Sequence, residues 1–250
     1  MTAPRPLALV TGASRGIGRA TAIALAARGW DLAVAYRADT SAADETVRQC
    51  RALGVVGVAI RADMRSESDI EALFTAADTV GPLRALINNA GIVAPKSRVD
   101  EYTWERMRTL FEVNTLGPML CCREAIRRMS TAHGGTGGRI VNVSSAAARL
   151  GSPGEYVDYA ASKGAIDTFT IGLAKEVADE GILVNGVRPG IIDTEIHASG
   201  GQPGRAQRLA HLVPLQRPGT VDEVAAVVAF LCSDEASYIC GSIIDVAGGR

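Results

Sequence analysis

The chain has 250 residues, a formal net charge of −1 and a sequence pI near 6.3. Hydrophobic residues make up 47% and charged residues 21%, a mixture typical of an ordered globular protein. Neither the charge nor its distribution provides the clustered basic face that nucleic acid or an anionic membrane surface requires, so we expect neither partner. The longest apolar runs, such as Val224–Cys232, fall well short of the roughly 20 residues of a membrane span.

Cysteine usage predicts a reducing compartment. The five cysteines are odd in number, two of them are adjacent, and their spacing matches no zinc pattern. We therefore expect free thiols in a cytoplasmic protein, with no metal site and no secretory signal. They are Cys50, Cys121, Cys122, Cys232 and Cys240.

Along the chain, short apolar runs alternate with longer segments of helical spacing. The apolar runs predict strands at Leu7–Thr11, Asp31–Tyr36, Val55–Ile60, Ala85–Asn88, Ile140–Ser144, Leu183–Val187 and Ile243–Val246. The segments between them predict helices at Ile17–Arg28, Ala43–Leu53, Ile70–Val80, Trp104–Met129, Ala160–Asp179 and Val221–Leu231.

This alternation predicts an α/β fold. The strands are continuously apolar, which indicates a parallel sheet covered by helices on both faces. We expect one doubly wound Rossmann-type domain of about seven strands over residues 1–250. No second domain is expected, so loops of the same domain, chiefly residues 191–216, should hold the substrate.

The first strand runs into a glycine-rich turn, and a helix follows. Glycines let the backbone turn tightly and approach a pyrophosphate, while the helix N-terminus offers N–H groups and partial positive charge. A glycine turn between a strand and a helix therefore predicts a dinucleotide site. Its candidate residues are Gly12, Ser14, Arg15, Gly16, Ile17 and Gly18.

The end of the second strand indicates which dinucleotide binds. A site for NAD usually carries an acidic residue there, which bonds the adenine ribose hydroxyls. Here the strand ends at Ala35-Tyr36-Arg37, and Asp31 lies at its opposite end. Arg37, helped by Arg15, can pair with a 2′-phosphate, which predicts NADP(H). The alternative is that both arginines are solvated surface residues.

Six motifs in chain order resemble those of the short-chain dehydrogenase/reductase family. The glycine spacing resembles the family's TGxxxGxG signature, and Asn88–Gly91 its NNAG segment. The remaining matches are Asn114, Ser145, the YxxxK pair Tyr159 and Lys163, and Pro189-Gly190.

The resemblance implies hydride transfer between the nicotinamide and a carbonyl or alcohol. Tyr159 would be the general acid or base, with Lys163 four residues later on the same helical face. A nearby ammonium should lower the pKa of the phenol from about 10. Lys163 would also hold the nicotinamide ribose, Ser145 would steady the substrate oxygen, and Asn114 would anchor a proton-relaying water.

Other cofactor contacts follow from the same resemblance. The adenine edge would meet Asp63 and Met64. The segment Asn89, Ala90 and Gly91 would line the cofactor, and the nicotinamide end would meet Pro189, Gly190, Ile192 and Thr194.

Two assignments at the reactive end involve a choice. The family pattern places the serine third after the strand asparagine Asn142, which selects Ser145 over Ser144. The gap to Tyr159 is then 14 residues, one longer than expected, so we expect an insertion in the loop before the tyrosine. Tyr156 is excluded as the acid because residue 160, four positions later, is alanine.

The substrate remains open at the level of sequence. A general aldehyde or ketone reductase, a β-ketoacyl-acyl carrier protein reductase and a glucose dehydrogenase-like enzyme all fit. Glu180 stands where a carrier-binding reductase would be expected to present a basic residue, whereas Tyr36-Arg37 and the run Tyr159–Lys163 are shared with sugar dehydrogenases. His197 would contact substrate or solvent. A non-catalytic NADP(H)-binding sensor or scaffold is the alternative outside enzymes, and the resemblance implies a homotetramer.

Overall fold

Strands and helices alternate along the chain and build one parallel sheet with helices on both faces. The structure is a computed structural model that describes residues 5–195 and 200–250. The strands are β1 Leu7–Val10, β2 Asp31–Tyr36, β3 Gly57–Arg61, β4 Leu83–Asn88, β5 Gly138–Val143, β6 Ile182–Pro189 and β7 Ile243–Val246. The α-helices are α1 Gly16–Ala26, α2 Thr40–Ala52, α3 Glu67–Asp78, α4 Trp104–Phe111, α5 Gly117–Met129, α6 Ala147–Leu150, α7 Val157–Val177, α8 Arg205–Arg208 and α9 Val221–Leu231.

The order of strands in the sheet fixes where a ligand can bind. Neighbouring strands run β3-β2-β1-β4-β5-β6-β7, and every pair is parallel. The chain crosses from one edge of the sheet back to its centre between β3 and β4, so β1 and β4 flank the switch point. In such sheets the crevice lies outside the carboxyl ends of the strands at this point. The doubly wound Rossmann-type prediction is confirmed.

Both faces of the sheet are buried, as the apolar strands indicate. Successive residues of β1 pack into different cores: Ala8 and Val10 into one, Leu7 and Leu9 into the other. Helices α1, α2 and α9 cover the first face, while α3, α5 and α7 cover the second. Burying a side chain of this size contributes about 1.5–3 kcal/mol, so this double burial holds the strand ends that carry the site.

The long predicted helix Trp104–Met129 is interrupted. A π turn over Glu112–Leu116 separates α4 from α5, and the Gly117 N–H bonds the Glu112 carbonyl five residues back. Pro118 explains the interruption, because it has no N–H to give the Asn114 carbonyl four residues earlier. A functional candidate thus lies inside the irregular turn, which regular apolar spacing does not reveal.

Smaller differences concern helix and strand ends. Helix α7 begins at Val157, three residues before the predicted start, so Tyr159 and Lys163 both lie within it. The short helices α6 and α8 were not predicted, and both lie beside the cleft described below. Within residues 5–195 and 200–250, none of the helices combines the length and apolar composition that crossing a bilayer requires.

Candidate functional site

A cleft opens along the carboxyl ends of the central strands. It consists of two adjoining cavities of about 350 Å³ and 420 Å³, which share Ile17, Asn89, Gly91 and Thr194 in their walls. The smaller cavity lies over the glycine turn and the end of β2, and the larger lies over the ends of β5 and β6. All the predicted cofactor residues except the buried Gly18, together with the predicted catalytic serine, tyrosine and lysine, therefore border this space.

The glycine turn offers backbone donors to this space. Gly12 and Gly16 have φ values of +63° and +54°, in the left-handed region that favours glycine. Helix α1 then begins with no side-chain cap and no acidic residue in its first turn. The backbone N–H groups of a helix N-terminus and the helix dipole make this end a site for an anion, which fits a pyrophosphate.

A second turn, after β4, is bonded to the first. The Thr11 hydroxyl accepts hydrogen bonds from the backbone N–H groups of Asn89 and Ala90, both at 3.0 Å. The Asn89 side-chain amide donates to the carbonyls of Thr11 and Gly12 at 2.9 and 3.0 Å. Asn89 lines the cleft, yet its amide serves chiefly to join the two turns. Sequence reasoning missed Thr11, although it begins the family signature.

Gly18 has no room for a side chain. A Cβ there would lie 2.4 Å from the Gly12 carbonyl oxygen and 2.4 Å from the Asn89 amide nitrogen. We expect Gly18→Ala to lower the free energy of unfolding by about 1–3 kcal/mol, because backbone must move to relieve the overlap. Gly164→Ala, on α7 with no atom within 4 Å of its added Cβ, is the control. Urea unfolding of both variants checks this, and equal stability would contradict it.

The end of β2 presents Arg37, which is exposed and lines the cleft with Arg15. Sequence reasoning missed Asp39, which borders the same cavity three residues after β2. Its carboxylate caps α2 by accepting hydrogen bonds from the Ala42 N–H and the Ser41 hydroxyl, both at 3.0 Å. These bonds lower the pKa of Asp39. The carboxylate is therefore already engaged in a structural role.

Asp63 and Met64 lie where the adenine edge was expected. Both border the smaller cavity, and Met64 is buried. The Asp63 carboxylate accepts bonds from the Arg65 guanidinium, at 2.6 Å from Nη2, which lowers its pKa. Its backbone N–H bonds the Asp69 carboxylate at 3.0 Å, so the turn is fixed from both sides.

Helix α7 brings Tyr159 and Lys163 together on one face. The Lys163 Nζ lies 5.9 Å from the centre of the Tyr159 ring and donates to the Val143 carbonyl at 2.7 Å. Lys163 is buried, and burial lowers the pKa of its ammonium to about 8, although the Asp167 carboxylate opposes this shift.

The pKa of Tyr159 differs from the predicted direction. We expected the Lys163 ammonium to lower it, but burial raises it, and a hydrogen bond with Ser145 opposes the rise. Removing a phenolate from water is the larger effect here. The correction is that Tyr159 is held as a phenol, the form that donates a proton.

The two serines after β5 have different roles. The buried Ser144 hydroxyl donates to the Lys163 backbone carbonyl at 3.2 Å, which fixes β5 against α7. Ser145 lines the cleft, and its hydroxyl accepts from the Ala147 N–H at 3.1 Å, at the start of α6. Of the two, Ser145 is the one in contact with Tyr159.

Asn114 is fully buried and joins the second turn to α7. Its side-chain amide donates to the Ile92 carbonyl at 2.9 Å and to the Ser162 hydroxyl at 3.2 Å, and its oxygen accepts from the Ile92 N–H at 2.8 Å. These bonds engage its side chain with protein groups. Pro118, four residues later, has no N–H to donate to the Asn114 backbone carbonyl.

The nicotinamide end is formed by the segment that follows β6. Pro189, Gly190, Ile192 and Thr194 all line the larger cavity. Gly190 is constrained, because an added Cβ would lie 2.7 Å from the Ala247 Cα. His197 lies outside the described residues.

Known proteins resemble the chain over almost its whole length. The family model described as enoyl-(acyl carrier protein) reductase matches residues 12–250. An uncharacterized oxidoreductase, YgfF, of Escherichia coli is 54% identical over 98% of this chain and 99% of its own. A 3-oxoacyl-[acyl-carrier-protein] reductase of Synechocystis is 36% identical over 97% of this chain and 96% of its own.

Solved structures agree with the fold. An acetoin dehydrogenase from Enterobacter cloacae is 35% identical with a TM-score of 0.89, covering 99% of this chain and 96% of its own. A short-chain dehydrogenase from Burkholderia cenocepacia, solved with NADP, is 34% identical with a TM-score of 0.89, covering 98% and 97%. The chain belongs to the short-chain dehydrogenase/reductase family, whose members are oxidoreductases that use a nicotinamide cofactor.

Proposed function

We propose that this oxidoreductase uses NADP(H) to interconvert a small carbonyl compound and its alcohol. The observation that carries the proposal is the convergence of Ser145, Tyr159 and Lys163 in the wall of a cavity that continues into the glycine turn. A sensor or scaffold that had lost the chemistry would not need these side chains in one cavity wall.

The geometry supports a division of roles. When bound, NADPH would supply a hydride to the carbonyl carbon. Tyr159, held as a phenol, gives its proton to the carbonyl oxygen, and Ser145 donates a hydrogen bond to that oxygen. Lys163 holds the nicotinamide ribose and, as an ammonium, favours the phenolate left behind. Asn114 fixes the second turn and would anchor a water that returns the proton.

The cofactor would occupy both cavities. Backbone groups of the first turn would hold the pyrophosphate, and Asp63 and Met64 would border the adenine. The residues proposed to contact the cofactor are Gly12, Ser14, Arg15, Gly16, Ile17, Gly18, Arg37, Asp63, Met64, Asn89, Ala90, Gly91, Tyr159, Lys163, Pro189, Gly190, Ile192 and Thr194.

Preference for NADP(H) is attributed to Arg37. We expect Arg37→Gln to weaken NADPH binding by about 10- to 100-fold, because a charge-assisted bond contributes about 1.5–3 kcal/mol. NADH binding should change little, since it lacks the 2′-phosphate. Fluorescence titration with both cofactors checks this, with Arg48→Gln as the control because Arg48 pairs with Glu45 away from the cleft. Equal losses for NADPH and NADH would contradict the assignment.

The rate of carbonyl reduction should depend on the Lys163 ammonium. Its pKa is about 8, so we expect kcat/KM to fall as the pH rises through this value. Asp167 raises that pKa, and we therefore expect Asp167→Asn to move the fall to lower pH. Rate profiles from pH 6 to 10 check the shift. If Asp167→Asn leaves the pH at which kcat/KM falls unchanged, another group controls that fall.

The direct test of the proposed function is turnover. Purified protein is assayed with NADPH and with NADH against diketones, aldehydes and acetoacetyl thioesters, and with NADP⁺ against sugars. Turnover of any carbonyl supports the proposal and ranks the substrate classes. Tight NADPH binding without turnover of any panel member would favour a sensor.

Reduction of 3-oxoacyl-carrier thioesters is the second candidate, because several relatives bear that name. The two adjacent arginines that could receive an acidic carrier are already paired. Arg127 bonds Glu124 at 2.8 Å, and Arg128 bonds Asp78 and Glu124 at 2.9 Å. Their charge is therefore largely compensated. For this reason we rank carrier-bound 3-oxoacyl thioesters below small carbonyl compounds as substrates.

We also propose a cytoplasmic homotetramer in which residues 191–216 form the substrate loop. Exposed apolar side chains on α4, the π turn and α7, namely Trp104, Leu116 and Ile171, support burial against further copies. All five cysteines are unpaired, which supports a reducing compartment. Light scattering coupled to size-exclusion chromatography measures the assembly.

A further inference from the structure

The substrate end of the larger cavity carries charged side chains that hydride transfer does not use. Its lining contains Arg205, Arg250 and Glu155 besides Lys163, which makes three cations and one carboxylate among the described residues. A cavity of one predominant sign favours a ligand of the opposite sign, most strongly where the walls are apolar. Here Leu150, Leu209 and Leu212 supply apolar walls.

Arg205 is held as a fixed part of this wall. It stands at the start of α8 with only 15% of its side chain exposed. The guanidinium pairs with Glu155 through Nη2 and lies 5.5 Å from the centre of the Tyr156 ring. The Tyr156 hydroxyl in turn accepts a hydrogen bond from the Gln202 amide at 2.6 Å.

The guanidinium is nevertheless incompletely bonded. Its Nε is buried and has no hydrogen-bond acceptor among the described residues. The guanidinium carries five N–H donors and lines the cavity, so it retains donors beyond the bond to Glu155 that a ligand can use. A planar fork of donors is best matched by a carboxylate, which accepts two parallel bonds.

Position in the chain links this group to the reactive end. Glu155 and Tyr156, which orient Arg205, come directly before α7, and Tyr159 lies in the first turn of that helix. Arg205 and Tyr159 thus line the same cavity, and Tyr156, three residues before Tyr159, contacts the Arg205 guanidinium. A cavity of about 420 Å³ that also receives the nicotinamide end leaves room for a small molecule only.

We propose that the substrate is a small oxo acid whose carbonyl meets Ser145 and Tyr159 and whose carboxylate is recognised by Arg205. The proposal rests on the carbonyl reductase function proposed above. Glu155 orients the guanidinium and, by its own charge, limits how strongly an anion is held. Arg205 is therefore proposed as the residue that makes the site specific for oxo acids over neutral carbonyl compounds.

The test compares each oxo acid with its uncharged amide. Short 2-, 3- and 4-oxo acids and the matching oxo amides are assayed under identical conditions, so that the carbonyl is kept and only the charge changes. The quantity measured is the ratio of kcat/KM for the acid to kcat/KM for the amide. We expect the wild-type protein to favour the acid for at least one chain length.

Two variants should move this ratio in opposite directions. Arg205→Gln should lower it by about 10- to 100-fold, the loss expected for one charge-assisted bond. Glu155→Gln should raise it, because the competing carboxylate is removed while its shape is retained. Arg208→Gln, on the same helix but outside the cavity lining, should leave it unchanged.

The outcomes separate this proposal from the proposed function. Turnover of neutral carbonyls with no preference for acids, or a ratio unaltered by both Arg205→Gln and Glu155→Gln, would overturn the oxo-acid proposal alone. Absence of turnover on every carbonyl with both cofactors would overturn the proposed function. Opposite shifts in the two variants would establish Arg205 as the recognition group, and because each ratio compares two substrates on the same protein sample, a partial loss of folded enzyme cancels.

Discussion

Replacing Tyr159 with phenylalanine is expected to lower kcat by about 100- to 10,000-fold, the usual contribution of a positioned acid or base. The phenol is the one group in the described reactive wall that combines contact with Ser145 and a lysine one helical turn away. The ring remains in Tyr159→Phe, so packing of α7 should be preserved. NADPH binding, measured by fluorescence titration, should change by less than about 3-fold, since that corresponds to under 1 kcal/mol.

Tyr156→Phe is the matched comparison. Tyr156 lies three residues earlier, lines the same cavity and is also a tyrosine, but its hydroxyl bonds Gln202 and residue 160 is alanine. We expect a loss of less than about 10-fold, consistent with one neutral hydrogen bond. Equal losses for both tyrosines, or a Tyr159→Phe enzyme within 10-fold of wild type, would contradict the assignment of the acid.

The sequence allowed prediction of the features that depend on local spacing. Seven apolar runs predicted seven strands because strands buried on both faces must be continuously apolar. The YxxxK spacing placed Tyr159 and Lys163 on one helical face because four residues make about one turn. Both inferences need only the repeat of side-chain positions along a strand or helix. The structure brings the side chains of Tyr159 and Lys163 together as expected.

Features that depend on contacts between distant residues could not be predicted this way. The position of Arg205 is set by packing against Glu155 and Tyr156, about 50 residues away. The direction of the Tyr159 pKa belongs to the same class. Lys163 at i+4 is visible in the sequence, whereas the burial that raises the pKa is a property of the fold.

Lys163 illustrates a conflict between stability and function, and its replacement is expected to stabilise the fold. Burial lowers its pKa from 10.5 to about 8, which corresponds to about 3 kcal/mol of unfavourable ammonium burial. Below pH 8 both the folded and unfolded states carry the proton, so this cost is fully present. Between about pH 8 and 10.5 the unfolded state alone binds the proton, and stability rises with pH.

Lys163→Met removes the buried charge but also the bond to the Val143 carbonyl, whose loss costs about 1–3 kcal/mol. We therefore expect a net gain of about 0–2 kcal/mol in the free energy of unfolding at pH 7, taken as the difference between these two contributions. The gain should shrink as the pH approaches 10. Turnover should fall by at least about 100-fold, because the proton transfer loses its supporting charge.

Urea unfolding at pH 7 and pH 10, together with steady-state assays, measures both effects. Lys175→Met, near the end of the same helix where the lysine shows no comparable burial, is the control and should show neither effect. The gain in free energy of unfolding that Lys163→Met produces should be larger at pH 7 than at pH 10. A smaller gain at pH 7 would contradict the burial argument. A more stable and inactive variant would instead show that the fold retains a costly buried ammonium for the reaction it supports.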